Sequence, residues 1–205
     1  MLEGGAPRRE ARLFALMLHG RGRSAEEMLA LGSAFDVAGV HYLCPQAPDA
    51  SWYPESFLEP RARNQPALRA SLGAISAHLD ALNASGVPDE RIALCGFSQG
   101  ACMVAETLIR RPAAYAAGLI FTGGLMGPPG TPWSTGGRLP PVPVLLTGSE
   151  IDEWVPAWRT RETALTLQAF GAAVELEIYA SREHKISDDE IVRARRLLRT
   201  SNGSV

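Results

Sequence analysis

The sequence predicts an α/β fold, with a mostly parallel sheet of about six to seven strands flanked by helices. Two observations predict it. Short apolar runs alternate along the chain with longer segments of helical periodicity, the order typical of parallel sheets covered by helices on both faces. The composition is that of an ordinary globular protein, with 46% hydrophobic and 20% charged residues. Because no repeat or linker divides the chain, we expect one domain over residues 1–205.

Six apolar runs are the predicted strands. Most are continuous, as expected for strands buried on both faces. The last run alternates Glu175 and Glu177 with apolar neighbours, which indicates a strand nearer the edge of the sheet. The runs cover residues 13–18, 40–44, 91–95, 117–121, 143–147 and 174–179.

Five helices are predicted from periodicity and from residues that favour helix ends. Ser24 followed by Glu27 forms a capping box. Pro66 and Pro156 lie at helix starts, and Asp188 is favourable in the first turn of the last helix. The predicted helices cover residues 24–35, 66–82, 100–111, 155–171 and 187–199.

Net charge and cysteine spacing argue against several kinds of partner. The formal charge of −2 gives no electrostatic reason to expect nucleic acid or an anionic membrane. Cys44, Cys95 and Cys102 have neither metal-ligand nor redox spacing, and residues 1–12 lack the apolar core of a secretory signal. We therefore expect a cytoplasmic protein with no metal, no nucleic-acid partner and no membrane insertion.

The pentapeptide Gly96-Phe97-Ser98-Gln99-Gly100 joins a predicted strand to a predicted helix. Gly-x-Ser-x-Gly in this context is typical of the nucleophile elbow, a turn so tight that its flanking positions tolerate almost no side chain. The turn presents the serine hydroxyl at the carboxyl end of a strand, where a base can reach it. This pattern indicates a serine hydrolase with Ser98 as the nucleophile.

A serine hydroxyl needs a base within hydrogen-bond reach, itself oriented by a carboxylate. Of the four histidines, His41 lies within a predicted strand and His78 on a predicted helix. His19 and His184 follow strand ends, at the same edge of the sheet as Ser98. His184 also fits the chain order of serine, acid and histidine in hydrolases built on such sheets. We therefore predict His184 as the base.

The orienting carboxylate should follow the strand that lies between Ser98 and His184 in the chain. Residues 147–153 offer three carboxylates at that strand end, which are Glu150, Asp152 and Glu153. Their spacing alone does not decide among them.

The third requirement is a pair of backbone N–H groups that stabilise the developing oxyanion. The amide of Gln99, directly after the nucleophile and at a helix start, is one predicted donor. The other is expected in the loop His19-Gly20-Arg21-Gly22 after the first strand, and we assign it to Arg21. The alternative is that this loop is an ordinary strand-to-helix turn.

Four motifs make the chain resemble the phospholipase/carboxylesterase family of α/β-hydrolases, to which acyl-protein thioesterases and small bacterial carboxylesterases belong. They are Leu18-His19-Gly20-x-Gly22, the elbow, the segment from Gly148 through Asp152 to Val155-Pro156, and His184-x-Ile186. The resemblance implies the α/β-hydrolase fold, with Ser98 as nucleophile, Asp152 as acid and His184 as base. It also implies an oxyanion hole formed by the amides of Arg21 and Gln99, and no metal or organic cofactor.

Two loops are candidate walls of a substrate pocket. Residues 45–66 carry clustered aromatic side chains, including Trp52 and Tyr53, which we expect to face the substrate; alternatively, they pack the loop onto the body. Residues 123–141, with Leu125, form the other candidate wall. The predicted pocket residues are His19, Gly20, Trp52, Tyr53, Leu125 and Val155.

Eukaryotic-type thioesterases that the chain resembles usually have more residues before the first motif. Here only about a dozen residues precede the first predicted strand. We therefore expect the sheet to lack its first antiparallel edge strand, which argues against long-chain acyl-protein substrates.

Together these features predict a serine carboxylesterase that hydrolyses small, uncharged or aromatic esters through an acyl-enzyme. An acyl thioesterase or lysophospholipase of the same fold is one alternative, and a non-catalytic hydrolase-fold binding protein is an alternative of another class. Arg21 and Arg23 either attract an anionic substrate or point into solvent. The expected partner is a small-molecule ester, and the resemblance is compatible with a homodimer.

Overall fold

The computed structural model describes residues 1–134 and 137–202. Seven strands form one sheet. They are β1 (Leu2–Gly5), β2 (Leu13–Leu18), β3 (Val40–Cys44), β4 (Ile92–Phe97), β5 (Ala117–Phe121), β6 (Pro143–Ser149) and β7 (Ala173–Tyr179). Their order across the sheet is β1-β3-β2-β4-β5-β6-β7. All neighbouring strands run parallel except β1 and β3. The predicted α/β class and the edge position of β7 are confirmed.

The antiparallel strand β1 corrects the prediction that the sheet lacks this edge. Leu2 pairs with Cys44 and Gly5 with His41. The strand is only four residues long, two of them glycine, with no apolar run that could reveal it. The argument against long-chain acyl-protein substrates that rested on the missing strand therefore fails.

Five α-helices connect or follow the strands, and each lies within a few residues of its predicted position. They are α1 (Ala25–Phe35), α2 (Ala67–Ala84), α3 (Gln99–Arg110), α4 (Ala157–Phe170) and α5 (Asp188–Asn202). Ser24 caps α1 by accepting a hydrogen bond from the amide of Glu27 at 3.4 Å. Gly171 ends α4 with a φ of 117°, a left-handed conformation that favours glycine. None of the helices in the described residues is long and apolar enough to cross a membrane.

Two hydrophobic clusters cover the two faces of the sheet. Helices α2, α3 and α4 pack on one face, and α1 and α5 pack on the other. Alternate strand residues divide between them: Leu16 and Leu18 face the first cluster, whereas Ala15 and Met17 face the second. The inner parallel strands β2–β6 are thus buried on both sides, which explains their continuous apolar runs.

The direction of chain progression across the sheet reverses between β2 and β4. From β2 the chain moves outward to β3 and then returns to β4, after which each strand is added on the opposite side. Loops leaving β2 and β4 therefore separate at their carboxyl ends and leave a crevice, the usual ligand position in open α/β sheets.

Candidate active site

Ser98 lies in the sharp turn between β4 and α3. Its φ of 54° and ψ of −115° are values that residues other than glycine rarely adopt. Its amide donates to the carbonyl of Phe121 at the end of β5, at 2.9 Å. A Cβ atom added to Gly96 would lie 2.3 Å from the carbonyl oxygen of Gly100, and one added to Gly100 would lie 2.0 Å from that of Leu18. The turn therefore excludes side chains on both sides of the serine.

Three side chains from separate loops meet at this turn. The Nε2 atom of His184 lies 2.8 Å from the Oγ of Ser98, and its Nδ1 lies 2.8 Å from Oδ2 of Asp152. Burial raises the pKa of Asp152, but hydrogen bonds from His184 and from the amides of Val155 and Trp154 outweigh it, so the pKa lies below its usual range. An ionised carboxylate only accepts hydrogen bonds, so Nδ1 of His184 carries the proton and Nε2 faces the serine as an acceptor.

Only one of the three candidate carboxylates reaches His184. Glu150 pairs with Arg161 on the surface, and Glu153 is exposed. Asp152 is 9% exposed and is fixed by two backbone amides, at 2.8 and 2.9 Å.

The loop after β2 lies directly beside the serine. A Cβ atom added to Gly20 would be 3.4 Å from Cβ of Ser98. Gln99 is the first residue of α3, so its amide has no partner within the helix. Arg21 and Gln99 both border the same cavity as Ser98.

The side chains of these two residues hold the wall loop, residues 51–55. Gln99 accepts a hydrogen bond from the amide of Trp52 at 2.8 Å and donates one to the carbonyl of Tyr53 at 2.7 Å. The guanidinium of Arg21 donates to three consecutive carbonyls, of residues 53–55. The wall loop is therefore held by Arg21, in the loop after β2, and by Gln99, the residue after Ser98.

The two loop arginines differ in their partners. Arg21 is exposed and lines the cavity, and its guanidinium donates to three backbone carbonyls, which fix its direction without neutralising its charge. Arg23 is half-exposed and pairs with Glu27 at 3.4 Å.

A cavity of about 560 Å³ opens above the serine. Of the predicted pocket residues, Gly20, Tyr53 and Val155 line it. The aromatic rings of Phe97 and Trp154 also border it, so much of its wall is apolar.

His19, Trp52 and Leu125, which were also predicted as pocket residues, lie outside the cavity lining. Trp52 is only 3% exposed and donates its indole N–H to the carbonyl of His19 at 2.8 Å. His19 is fully buried beneath the loop and accepts a hydrogen bond from the amide of Ala47 at 3.0 Å. Leu125 is also fully buried. These residues pack the wall loops onto the body, which is the alternative considered for the aromatic cluster of residues 45–66.

Several lining residues were not predicted as pocket residues, among them Phe57, Phe97, Cys102 and Trp154. Phe97 and Trp154 lie close to Ser98 and Asp152 in the chain, and this proximity was the signal available. Cys102 places a thiol in the same lining. Burial raises its pKa to about 11, so the thiol stays protonated at neutral pH and is a poor nucleophile.

The two segments predicted as pocket walls, residues 45–66 and 123–141, are also joined to α3 through the buried carboxylate of Glu106. It binds Arg61 of residues 45–66 at 2.9 Å and Arg110 at 2.8 Å. Its other oxygen accepts from the amide of Met126 at 3.0 Å, in residues 123–141; residues 135 and 136 of that loop lie outside the described residues. Burial raises the pKa of Glu106, and the two arginines favour its ionised form.

No group of three or more histidine, cysteine, aspartate or glutamate side chains in the described part of the chain could hold a metal ion.

Comparisons with known proteins agree on one family. The sequence profile of the phospholipase/carboxylesterase family matches residues 5–202. A probable carboxylesterase of Arabidopsis thaliana, described as SOBER1-like, is 26% identical over 199 residues, covering 88% of this chain and 76% of that protein. A probable carboxylesterase of Oryza sativa is 27% identical, covering 88% and 74%. The crystal structure of a phospholipase/carboxylesterase from Dyadobacter fermentans superposes with a TM-score of 0.89 at 35% identity, covering 96% of this chain and 95% of that one.

Proposed function

The chain belongs to the phospholipase/carboxylesterase family of α/β-hydrolases, and on that premise we propose that it is a serine carboxylesterase that forms an acyl-enzyme on Ser98. The observation that carries the proposal is the series of two 2.8 Å contacts, from the Ser98 hydroxyl to His184 and from His184 to Asp152. This is the geometry that a nucleophile, a base and an orienting acid require.

The proposed reaction proceeds in two halves. As the Ser98 hydroxyl attacks the ester carbonyl, Nε2 of His184 takes its proton, and Asp152 stabilises the resulting imidazolium without accepting the proton. His184 then protonates the departing alcohol, which leaves an acyl-serine. Water repeats the sequence in the second half, with the same base, and releases the carboxylic acid.

We assign stabilisation of the oxyanion to the amides of Arg21 and Gln99. The start of α3 adds the positive end of a helix dipole beside Gln99. One such donor is worth about 3 kcal/mol of transition-state stabilisation. The close approach of Gly20 to Ser98 supports this assignment, because the loop after β2 can follow the substrate without a side chain between them.

We propose small esters with uncharged or aromatic groups as the substrate class. A cavity of about 560 Å³ with aromatic walls supports this proposal. Arg23 pairs with Glu27 at 3.4 Å, so one of the two loop charges is offset.

We expect short p-nitrophenyl esters to have a higher kcat/KM than long-chain ones, because a long acyl group would extend beyond the cavity. Steady-state kinetics across a series of chain lengths, with thioesters and lysophospholipids in parallel, measures this. A rising kcat/KM with chain length would contradict the small-ester proposal without touching the proposed nucleophile.

We further propose that the enzyme acts in the cytoplasm. Its three cysteines are free and buried, and burial raises the pKa of Cys44 to about 12. Unpaired thiols of this kind suit a reducing compartment.

The test of the proposed function is the variant Ser98→Ala. We expect it to lose labelling by a fluorophosphonate and to lose ester hydrolysis by a factor of about 10⁴ or more, as for other triad nucleophiles. Ser33→Ala is the matched control, since Ser33 is an exposed residue of α1 whose hydroxyl only donates to the carbonyl of Leu29. Hydrolysis at the wild-type rate by a folded Ser98→Ala protein would overturn the proposal.

A further inference from the structure

We propose that Arg182 is a positioning residue for His184, and that its buried ion pair with Glu190 fixes the loop on which His184 approaches Ser98. The inference rests on the proposed function, because it concerns how the base is held. Arg182 lies outside the cavity lining and is only 7% exposed. It therefore acts through His184 and not on the substrate.

The guanidinium of Arg182 brackets the base. Its Nη1 donates to the carbonyl of Glu183 at 2.9 Å and to that of Lys185. These are the carbonyls directly before and after His184. Residues 181–187 form no helix or strand, so they lack the hydrogen bonds of regular secondary structure. The Arg182 side chain supplies hydrogen bonds to this loop instead.

A second contact fixes the guanidinium to the sheet. Its Nη2 donates to Oγ1 of Thr122 at 2.7 Å. Thr122 directly follows β5 and has a φ of 54°, and its amide donates to the carbonyl of Thr147 at 3.0 Å. The preceding residue, Phe121, accepts the amide of Ser98. Arg182 thus connects the loop of the base to the strand end that also holds the nucleophile.

Glu190 provides the opposite charge and a third anchor. Its carboxylate is fully buried and lies 3.3 Å from Nε of Arg182, as an ionic contact without hydrogen-bond geometry. One oxygen accepts from Oγ1 of Thr147 at 2.5 Å, at the end of β6. The other accepts from the amide and hydroxyl of Ser187, at 2.7 and 2.8 Å. The end of the His184 loop is therefore fixed to the strand that leads to Asp152.

Stability alone is a weak explanation for this arrangement. A buried ion pair adds little net stability, since desolvation of both charges offsets their attraction. The planar guanidinium of Arg182 instead donates to two carbonyls of the His184 loop and to Thr122 directly after β5, and its Nε contacts Glu190 of α5. Lysine, with a point charge and no planar fork, could not satisfy them together.

The first experiment measures ester hydrolysis by Arg182→Ala and Arg182→Lys. We expect kcat to fall by about tenfold or more with KM nearly unchanged, because the substrate does not touch this residue. Guanidinium at concentrations well below those that unfold proteins should partly restore kcat of Arg182→Ala, whereas methylammonium should not. Arg196→Met, an exposed arginine of α5 that pairs with Glu175, should leave kcat unchanged.

A milder pair of variants guards against misfolding. Thr122→Ser keeps the hydroxyl that accepts from Arg182 and should retain the wild-type kcat, whereas Thr122→Val removes it and should lower kcat. The low-field proton resonance of the His184–Asp152 hydrogen bond should weaken in Thr122→Val and persist in Thr122→Ser. A purely structural role would lower the melting temperature of Thr122→Val without changing that resonance or kcat in the folded protein.

Wild-type kcat and an unchanged low-field resonance in folded Thr122→Val or Arg182→Ala would overturn the inference. That result is distinguishable from failure of the proposed function, in which Ser98→Ala would retain hydrolysis whatever the Arg182 variants do.

Discussion

Ser98 is held in a backbone conformation that costs a residue other than glycine about 1–3 kcal/mol. Two backbone hydrogen bonds maintain it: its amide binds the carbonyl of Phe121 at 2.9 Å, and its carbonyl accepts the amide of Cys102 at 3.1 Å. The direction of the hydroxyl is thus determined by β5 and α3 as much as by the turn itself.

His19 shows how a buried imidazole holds the proposed oxyanion loop. Its Nε2 accepts the amide of Ala47 at 3.0 Å, so Nδ1 carries the proton and donates to the carbonyl of Gly20 at 2.7 Å. Burial, the largest influence, lowers the pKa of His19. The folded loop therefore contains the neutral form of the His19 ring.

This gives a pH dependence with a defined sign. The unfolded chain takes up a proton at His19 near pH 6.5, whereas the folded chain does so only at lower pH. The contribution of His19 to the free energy of unfolding should be fully present above pH 6.5 and should be lost as pH drops toward the folded pKa. Urea unfolding at pH 8 and pH 5.5 measures the difference.

The variant His19→Gln, which does not titrate, should show a smaller loss of unfolding free energy over this range. His78→Gln serves as the comparison, because burial also lowers the pKa of His78 but its ring is partly exposed. An equally steep loss in His19→Gln and wild type would show that His19 is not the group responsible.

Ser98 and His184 were predictable because each follows a predicted strand in a short motif, whereas the family resemblance was needed to choose Asp152 over Glu150 and Glu153. Arg182 was not predictable. The Thr122 hydroxyl that it binds lies 60 positions away, and its other acceptors are backbone carbonyls, which exist at every position and give no sequence signal. Side chains that act on distant backbone groups escape sequence reasoning for this reason.

At the scale of elements, the wall loop depends on residues outside it. The guanidinium of Arg21 binds three carbonyls of residues 53–55, and Gln99 binds the adjoining Trp52 and Tyr53. A substrate bound against Tyr53 would therefore contact a loop that is held by the same two residues whose amides we assign to the oxyanion hole.

We expect Arg21→Met to loosen this wall while leaving the Arg21 amide in place. KM should rise by about three- to tenfold with a smaller change in kcat, since binding is affected more than the chemical step. Hydrogen exchange of the amides in residues 53–57 should become faster. Arg63→Met, an exposed arginine of the same loop, is the control; equal effects in both variants would refute the specific role of Arg21.

The helices and every strand except β1 were predictable within a few residues, because buried strands leave apolar runs and helices leave helical periodicity. The loops were predictable only in part. Tyr53 borders the cavity and the adjacent Trp52 is packed beneath it, and neither periodicity nor hydrophobicity distinguishes two neighbouring aromatic residues in an irregular segment.

For the whole molecule, the sheet order brings the site together. Because the chain returns from β3 to the other side of β2, the strands β2 and β4 are neighbours and their carboxyl ends lie side by side. The strands β5, β6 and β7 then follow in order, which places the loops carrying Asp152 and His184 on the same carboxyl edge. The three groups that we propose to react therefore meet because of the order of the strands in the sheet.

The edge strand β1 provides a test of how independent the site is from the far side of this sheet. Strands β3 and β2 separate it from β4, which carries the nucleophile. It pairs with β3, and Gly4 packs closely against Leu29 of α1. Deletion of residues 2–5 should therefore expose the hydrogen-bonding edge of β3, which is a template for association between chains.

We expect the deletion to lower the melting temperature by several degrees, at about 2–4 °C per kcal/mol for a chain of this size, and to increase light scattering on heating. The kcat per fluorophosphonate-labelled molecule should stay within about twofold of wild type, because no contact of the triad involves β1. Glu3→Gln keeps the strand and changes only the interactions of this carboxylate with Arg8 and His41, so it should leave scattering unchanged. A parallel loss of kcat and thermal stability in the deletion variant would show that the edge strand supports the site as well as the fold.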